Sequence, residues 1–320
     1  MKRKQSGSKI MMRLIKLVKP LAFFMVLAVI LGVTGFLCAI QITVLGSMTL
    51  LTAAGINGGL AIKTGCICII IFAVLRGFLH YGEQACNHYI AFKLLAIIRD
   101  KVFKSLRRLT PAKLEGKDKG NLISLITSDI ELLEVFYAHT ISPICIAFLT
   151  SLVMLIFIGR YSSWLMLVAL AAYITVGIII PLVSSKFNKN IGMTYRENSG
   201  ALSGYVLDSM RGLLESIRYN STDTRLNEMN EKTDELNSLQ KKLKKIEGRN
   251  ISITDISIIF FSITMLLVAI CLYQKGTIGF DGLIVSTVAM MSSFGPVAAL
   301  SNLAGNLTHT LASGERVLSI

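Results

Sequence analysis

The chain has 320 residues, of which 53% are hydrophobic and 16% charged, and its mean hydropathy is +0.63. A soluble globular domain carries roughly 25% charged residues, so composition excludes that class and places the chain in a bilayer. The net charge of +14 does not require nucleic acid, because the basic residues sort by topology rather than into one footprint.

Residues 1–19 read as a cytoplasmic tail. Within them, Ile10, Met11, Leu14, Ile15 and Val18 share one helical face opposite Arg13, Lys16 and Lys19, which predicts an interfacial helix ending at Pro20. An apolar run near 21–45 is long enough for a first span, which needs roughly 20 residues. It is also too long for the apolar core of a cleavable signal peptide and is expected to be retained. The glycine-containing stretch Gly46 to Ala61 reads as an external connection. A second span near 60–80 is interrupted by Lys63, which can snorkel, and by Arg76, which cannot sit cheaply in hydrocarbon.

Residues 81–134 are too long for a structureless loop. Leu94, Leu95, Ile98, Val102, Leu106 and Leu109 recur at helical spacing, as do Leu122, Ile126, Ile130, Leu133 and Phe136, with Pro111, Gly116 and Gly120 between them. The pattern predicts a helical hairpin standing off the membrane. Two further spans near 135–159 and 161–185 are separated by Arg160. A second arm over 186–250 repeats the plan, with Val206, Met210, Leu213, Leu214 and Ile217 before the polar run Asn220 to Thr224, and Leu226, Met229, Leu236, Leu239, Leu243 and Ile246 after it. The last spans fall near 253–274 and 282–305, with Asp255 at the start of the fifth and Pro296 predicting a kink in the sixth.

Of the 33 Lys and Arg residues, 30 lie in the tails and the two long connections, and 3 (Lys63, Arg160 and Lys275) lie on the opposite side. The positive-inside rule therefore puts both termini and both arms in the cytoplasm. The six cysteines contain no C-x-x-C pair and read as small packing residues rather than a disulfide or zinc framework. No G-x-x-x-x-G-K-[ST] occurs in the 320 residues, so no phosphate-binding nest is present and the chain alone is not expected to hydrolyse ATP.

This all-α plan of six long spans and two helical-hairpin arms resembles the transmembrane domain of an ABC exporter. The likeness rests on Leu109, Pro111, Gly120, Leu122, Ser128 and Asp129 around the first arm's tip, and on Ser313 to Leu318 at the end of the last helix. It implies a first coupling helix over Pro111, Ala112, Lys113, Leu114 and Glu115. The second would hold Gly212, Leu213, Leu214, Glu215, Ser216, Ile217 and Arg218. It also implies nucleotide-binding domains using ATP and Mg, here absent, and a second half-transporter.

A finer likeness is to CydC-type subunits, carried by Arg76, Tyr81, Glu83, His88, Phe92, Leu95, Arg99, Phe103, Tyr137 and Pro143, with departures at His80 and Gln84. It implies a heterodimer in the bacterial inner membrane that exports cysteine, glutathione or haem-related substrates, with His88 as an axial ligand of haem iron. From the residues alone, a lone His88 reads first as an interfacial histidine bonded to a neighbour and only then as a ligand. Arg76 reads as a receptor for a carboxylate-bearing substrate, as a structural partner of Glu83 seven residues on, or as a residue snorkelling towards the headgroups. A lipid or multidrug exporter half remains an alternative, and a non-transporting membrane scaffold whose arms dock a soluble partner is one of another class.

Overall fold

The computed structural model describes residues 19–56, 60–109, 130–136 and 140–318, and every regular element among them is helical. Within those residues six helices are long and apolar enough to cross a membrane. A short 3-10 turn at Lys19–Leu21 leads into α1, Ala22–Ala53, and α2 is Ile62–Leu109. Helix α3, Ile130–Phe136, precedes α4, Ser142–Gly159, and α5, Ser163–Ile174. A π-helical segment, Thr175–Ile179, passes into α6, Ile180–Arg211, followed by the short α7, Leu213–Arg218. The chain closes with α8, Thr222–Gln274, and α9, Phe280–Leu318. The predicted interfacial helix and the first expected coupling helix, Pro111 to Glu115, lie outside the described residues, Lys19 apart.

Several boundaries differ from the sequence reading. Gly46 does not open a loop; α1 runs on to Ala53, its Ser47 and Thr49 hydroxyls donating to the carbonyls of Val44 and Leu45. These back-bonds let polar residues remain in a helix. Helix α2 packs along α1 here so closely that a Cβ on Gly65 would overlap Thr49 Oγ1. In the third span the π-bonded Thr140 and Ile141 lead into α4, which begins at Ser142 with Pro143 in its first turn. Proline lacks the N–H that a helix interior needs and is tolerated at this position. The sixth span continues as helix through Pro296.

Helix α9 is the central element, touching α1, α4, α6 and α8. Its most apolar window is 56% buried, against no more than 33% in any other span. Leu283, Ser286, Ala289, Met290, Ser293 and Val297 make its buried stripe at helical spacing. Small hydroxyl residues suit that place because they admit close helix approach and satisfy themselves on their own backbone, as Ser286, Thr287, Ser292 and Ser293 all do.

The largest apolar cluster joins Ile40 and Val44 of α1, Met154 and Ile158 of α4, Leu165 and Ala169 of α5, Met265 and Ala269 of α8, and the first half of α9. The residues named lie towards the short-connection end of the spans. Helices α6 and α8 continue beyond the spans as the second arm. At 1.5 Å per residue, the 53 residues of α8 extend about 80 Å, well beyond a hydrocarbon core of about 30 Å.

Candidate functional site

The arm opposite that packed end is held by polar contacts between α6 and α8. Asn198 donates to Glu235 at 3.0 Å, Tyr205 to Glu228 at 2.6 Å, and Arg225 to Ser209 at 3.2 Å. The cations of Arg225 and Lys232 lie 5.7 and 5.5 Å from the Tyr205 ring centre. Nearer the spans, Asn250 donates to Ser184.

The tip is α7, and its closure is set by the local sequence. Asn220 takes φ +51°, a left-handed conformation that asparagine tolerates better than other non-glycine residues. The N–H of Asn220 then reaches Ile217 O at 3.2 Å and that of Ser221 reaches Ser216 O at 2.9 Å, the paired bonds of a Schellman cap. The predicted break at Asn220 is therefore a defined turn. It leaves Met210, Leu213, Leu214, Ile217 and Tyr219 exposed around one short helix. The residues expected to form a second coupling helix, Gly212 to Arg218, are α7 together with its preceding glycine.

A cavity of about 460 Å³ lies between α4, the π segment with its flanks, and α9. Thr140, Ala147, Phe148 and Ser151 line one wall, Tyr173, Gly177 and Leu182 another, and Val297 and Leu300 a third. Among the described residues that line it, none is charged. Ser293 spends its proton on Met290 O, so its oxygen accepts from the Tyr173 hydroxyl. That bond commits the tyrosine's only donor away from the cavity.

Two helix irregularities meet at this cavity. A Cβ on Gly177, the centre of the π segment, would fall 2.8 Å from Val297 Cγ1, next to Pro296. The hydroxyl of Ser301, one turn further, donates at 3.1 Å to Val176 O in the same π segment. A π turn misdirects the ordinary helical bonds and recurs at functional sites. In the register of this segment the donor to Val176 O would be residue 181, which is proline and has no N–H, and Ser301 of the neighbouring helix takes its place.

Within the spans, Glu83 of α2 is buried against Gly32 and Ile146. Its carboxylate lies 3.3 Å from His80 Nδ1, and Asn87 Nδ2 donates to it at 3.4 Å. The expected pairing with Arg76 is corrected by this geometry. Residues three and four apart meet on a helix, whereas seven residues span roughly 10 Å. Arg76 is exposed on the apolar span. His88 is also exposed and stacks on Phe92 with ring centres 6.0 Å apart. Among the described residues no three His, Cys, Asp or Glu side chains are grouped as a metal site. Asp255 is exposed on α8, and all six cysteines are free thiols. Sequence reasoning missed the π segment, the cavity and the His80–Glu83–Asn87 cluster; the cluster had a readable signal in its helical spacing and the π segment one in Pro181.

A family described as the ABC transporter transmembrane region matches residues 21–297. Over 317 residues the chain is 45% identical to a probable ABC transporter ATP-binding/permease protein of Haemophilus influenzae, covering 99% of this chain and 57% of that protein. It is 30% identical over 182 residues to ATP-dependent lipid A-core flippase 1 of Colwellia psychrerythraea, covering 55% of this chain and 29% of that protein. Likeness to the glutathione/L-cysteine transport system ATP-binding/permease protein CydC of Haemophilus influenzae is more distant, 22% over 151 residues, covering 47% of this chain and 26% of the relative. The chain thus spans little more than half the length of the most fully matched of these relatives.

Proposed function

The chain belongs to the ABC transporter transmembrane family, and on that premise we propose that it is the permease part of an ATP-driven exporter, with α7 as the contact that receives a nucleotide-binding domain. The observation that carries this reading is the exposed apolar tip. Leu213, Leu214 and Ile217 on the short helix, with Met210 and Tyr219 flanking it, are between 53% and 82% exposed at a tip held by two long helices. Exposed apolar clusters at such a site mark protein contacts. The arm is helical throughout and cross-braced, so displacement at the tip is carried to the spans. Closing and reopening of ATPase domains would then shift the spans between two arrangements by their differential affinity for each. In this reading the arms and both termini are cytoplasmic, and the transporter is completed by a second six-span half in the bacterial inner membrane.

The test uses the full transporter in sealed vesicles with Leu213→Glu and Leu214→Glu together. Two charges on the docking face are expected to abolish ATP-driven substrate movement and substrate stimulation of ATPase activity while the arms remain helical. Undiminished coupling in that variant would refute the role given to α7.

The names of the relatives leave the transported class open between lipid-linked and thiol substrates.

A further inference from the structure

We infer that Ser301 of α9 is a positioning residue that sets the helical register of the span leading into the second arm. In the π segment the N–H of Ile180 donates to Thr175 O, five residues back. The next bond of that register would run from residue 181 to Val176 O, and Pro181 has no N–H to give. In an α register every bond moves by one carbonyl. Ile180 would then serve Val176 O, and the proline's deficit would fall on Gly177 O. A proline ring in a helix also crowds the carbonyl four residues back, which is again that of Gly177.

Helix α9 distinguishes the two registers by what it presents one turn apart. Beside Val176 stands Ser301, 7% exposed, whose hydroxyl donates to Val176 O at 3.1 Å. Against Gly177 stands Val297, four residues earlier, whose side chain has no donor. The π register is therefore complete with Ser301 in place, whereas the α register would leave Gly177 O without a donor from its own helix or from Val297. A carbonyl unpaired away from water carries the full cost of its desolvation, so one hydroxyl decides between the two.

The bond makes register depend on the position of α9. Withdrawal of Ser301 from Val176 removes the donor that completes the π turn and brings the two registers closer in free energy. A π turn holds more residues than an α turn, so conversion rotates α6 and its tip α7 relative to α5. Movement of α9 is thereby converted into rotation of an arm helix. Only the link to a transport cycle rests on the permease reading; the choice of register rests on the bonds themselves.

The test uses the full transporter in nanodiscs, free of cysteine except for Leu182→Cys carrying a nitroxide. Leu182 follows Pro181 directly and is 62% exposed, so rotation of α6 changes the label's mobility and two spectral components report the two registers. Ser301→Ala is expected to change their ratio about tenfold, equivalent to about 1.4 kcal/mol. Ser301→Val is expected to do the same, whereas Ser301→Thr, of the same shape but with the hydroxyl, retains the starting ratio. Pro181→Ala supplies an N–H in either register, so in that background Ser301→Ala is expected to have no further effect.

An unchanged ratio in Ser301→Ala and Ser301→Val would overturn the role of Ser301, as would Ser301→Thr behaving like Ser301→Val. So would an equal effect of Ser301→Ala with and without Pro181→Ala, which would mean that the residue acts by packing alone. Mg-ATP with vanadate, which holds ATPase domains closed, is added separately. A ratio that answers to Ser301→Ala but not to nucleotide would remove the link to the permease cycle and leave the register site standing, whereas a ratio moved by nucleotide but not by Ser301→Ala would do the reverse.

Discussion

Replacing Gly177 by alanine tests the contact between the π segment and α9, because two opposing terms have known sizes there. A methyl group at position 177 would meet Val297 Cγ1 at 2.8 Å, whereas carbon atoms rest near 3.5–4.0 Å, so one wall must retreat by about 1 Å. Overpacking of this kind costs about 1–3 kcal/mol. Alanine is also better than glycine in a helix by about 0.8–1 kcal/mol. The net expectation for Gly177→Ala is a loss of about 0–2 kcal/mol, too broad to decide by itself. The sign becomes decisive in a Val297→Ala background, where the clash is gone and only the helix term remains. There Gly177→Ala is expected to stabilise by about 1 kcal/mol. Thermal unfolding of purified protein, read as retained monodisperse material against temperature, supplies all four corners of the cycle. Additive effects across the four proteins would refute the close approach of the two helices.

Glu83→Leu leaves the buried Asn87 amide without its acceptor and is expected to cost about 1–3 kcal/mol in the same assay, with part regained by adding Asn87→Leu. No loss in the single variant would show that the cluster does not hold the spans. Asn220→Val forces a β-branched residue into a left-handed conformation and is expected to destabilise the α7 turn by about 1–2 kcal/mol, whereas Asn220→Gly is expected to leave it intact. Hydrogen exchange at the Asn220 and Ser221 amides separates the two outcomes.

Much of this fold was legible because the bilayer imposes it. Apolar runs of about 20 residues have few alternatives to spanning helices. The buried positions Leu94, Leu95, Ile98 and Val102 in α2, with Ile130 and Leu133 in α3, follow the helical period read from the residues alone. The break at Asn220 was visible as a polar run, although its Schellman geometry was not. The π segment had a partial signal in Pro181, which cannot donate to the helical carbonyls before it, but its register was not readable. Thr175 to Ile179 reads as an ordinary apolar stretch, and its stray carbonyl is satisfied by Ser301, 125 residues later. Long-range complementation of that kind is absent from local pattern. Glu83 is the opposite case, since His80 and Asn87 stand at the helical spacings i−3 and i+4 while Arg76 stands two turns away.

The cavity and the arm tip are not separate features of the chain. Helix α6 starts at Ile180, directly after the π segment, and runs unbroken for 32 residues to Arg211, where Gly212 leads into α7. Its length is about 48 Å. One end is the wall of the apolar cavity and the other carries the exposed tip. A straight α-helix transmits tilt and axial movement with little loss, so displacement is absorbed where bonding departs from the α pattern. Along this rod those places are the π segment and Gly212. The brace of Tyr205, Arg225 and Lys232 ties the rod to α8 between them, so both arm helices move together. In the proposed reading, a displacement at α7 is therefore delivered along α6 to the π segment, where Gly177 meets Val297 of α9.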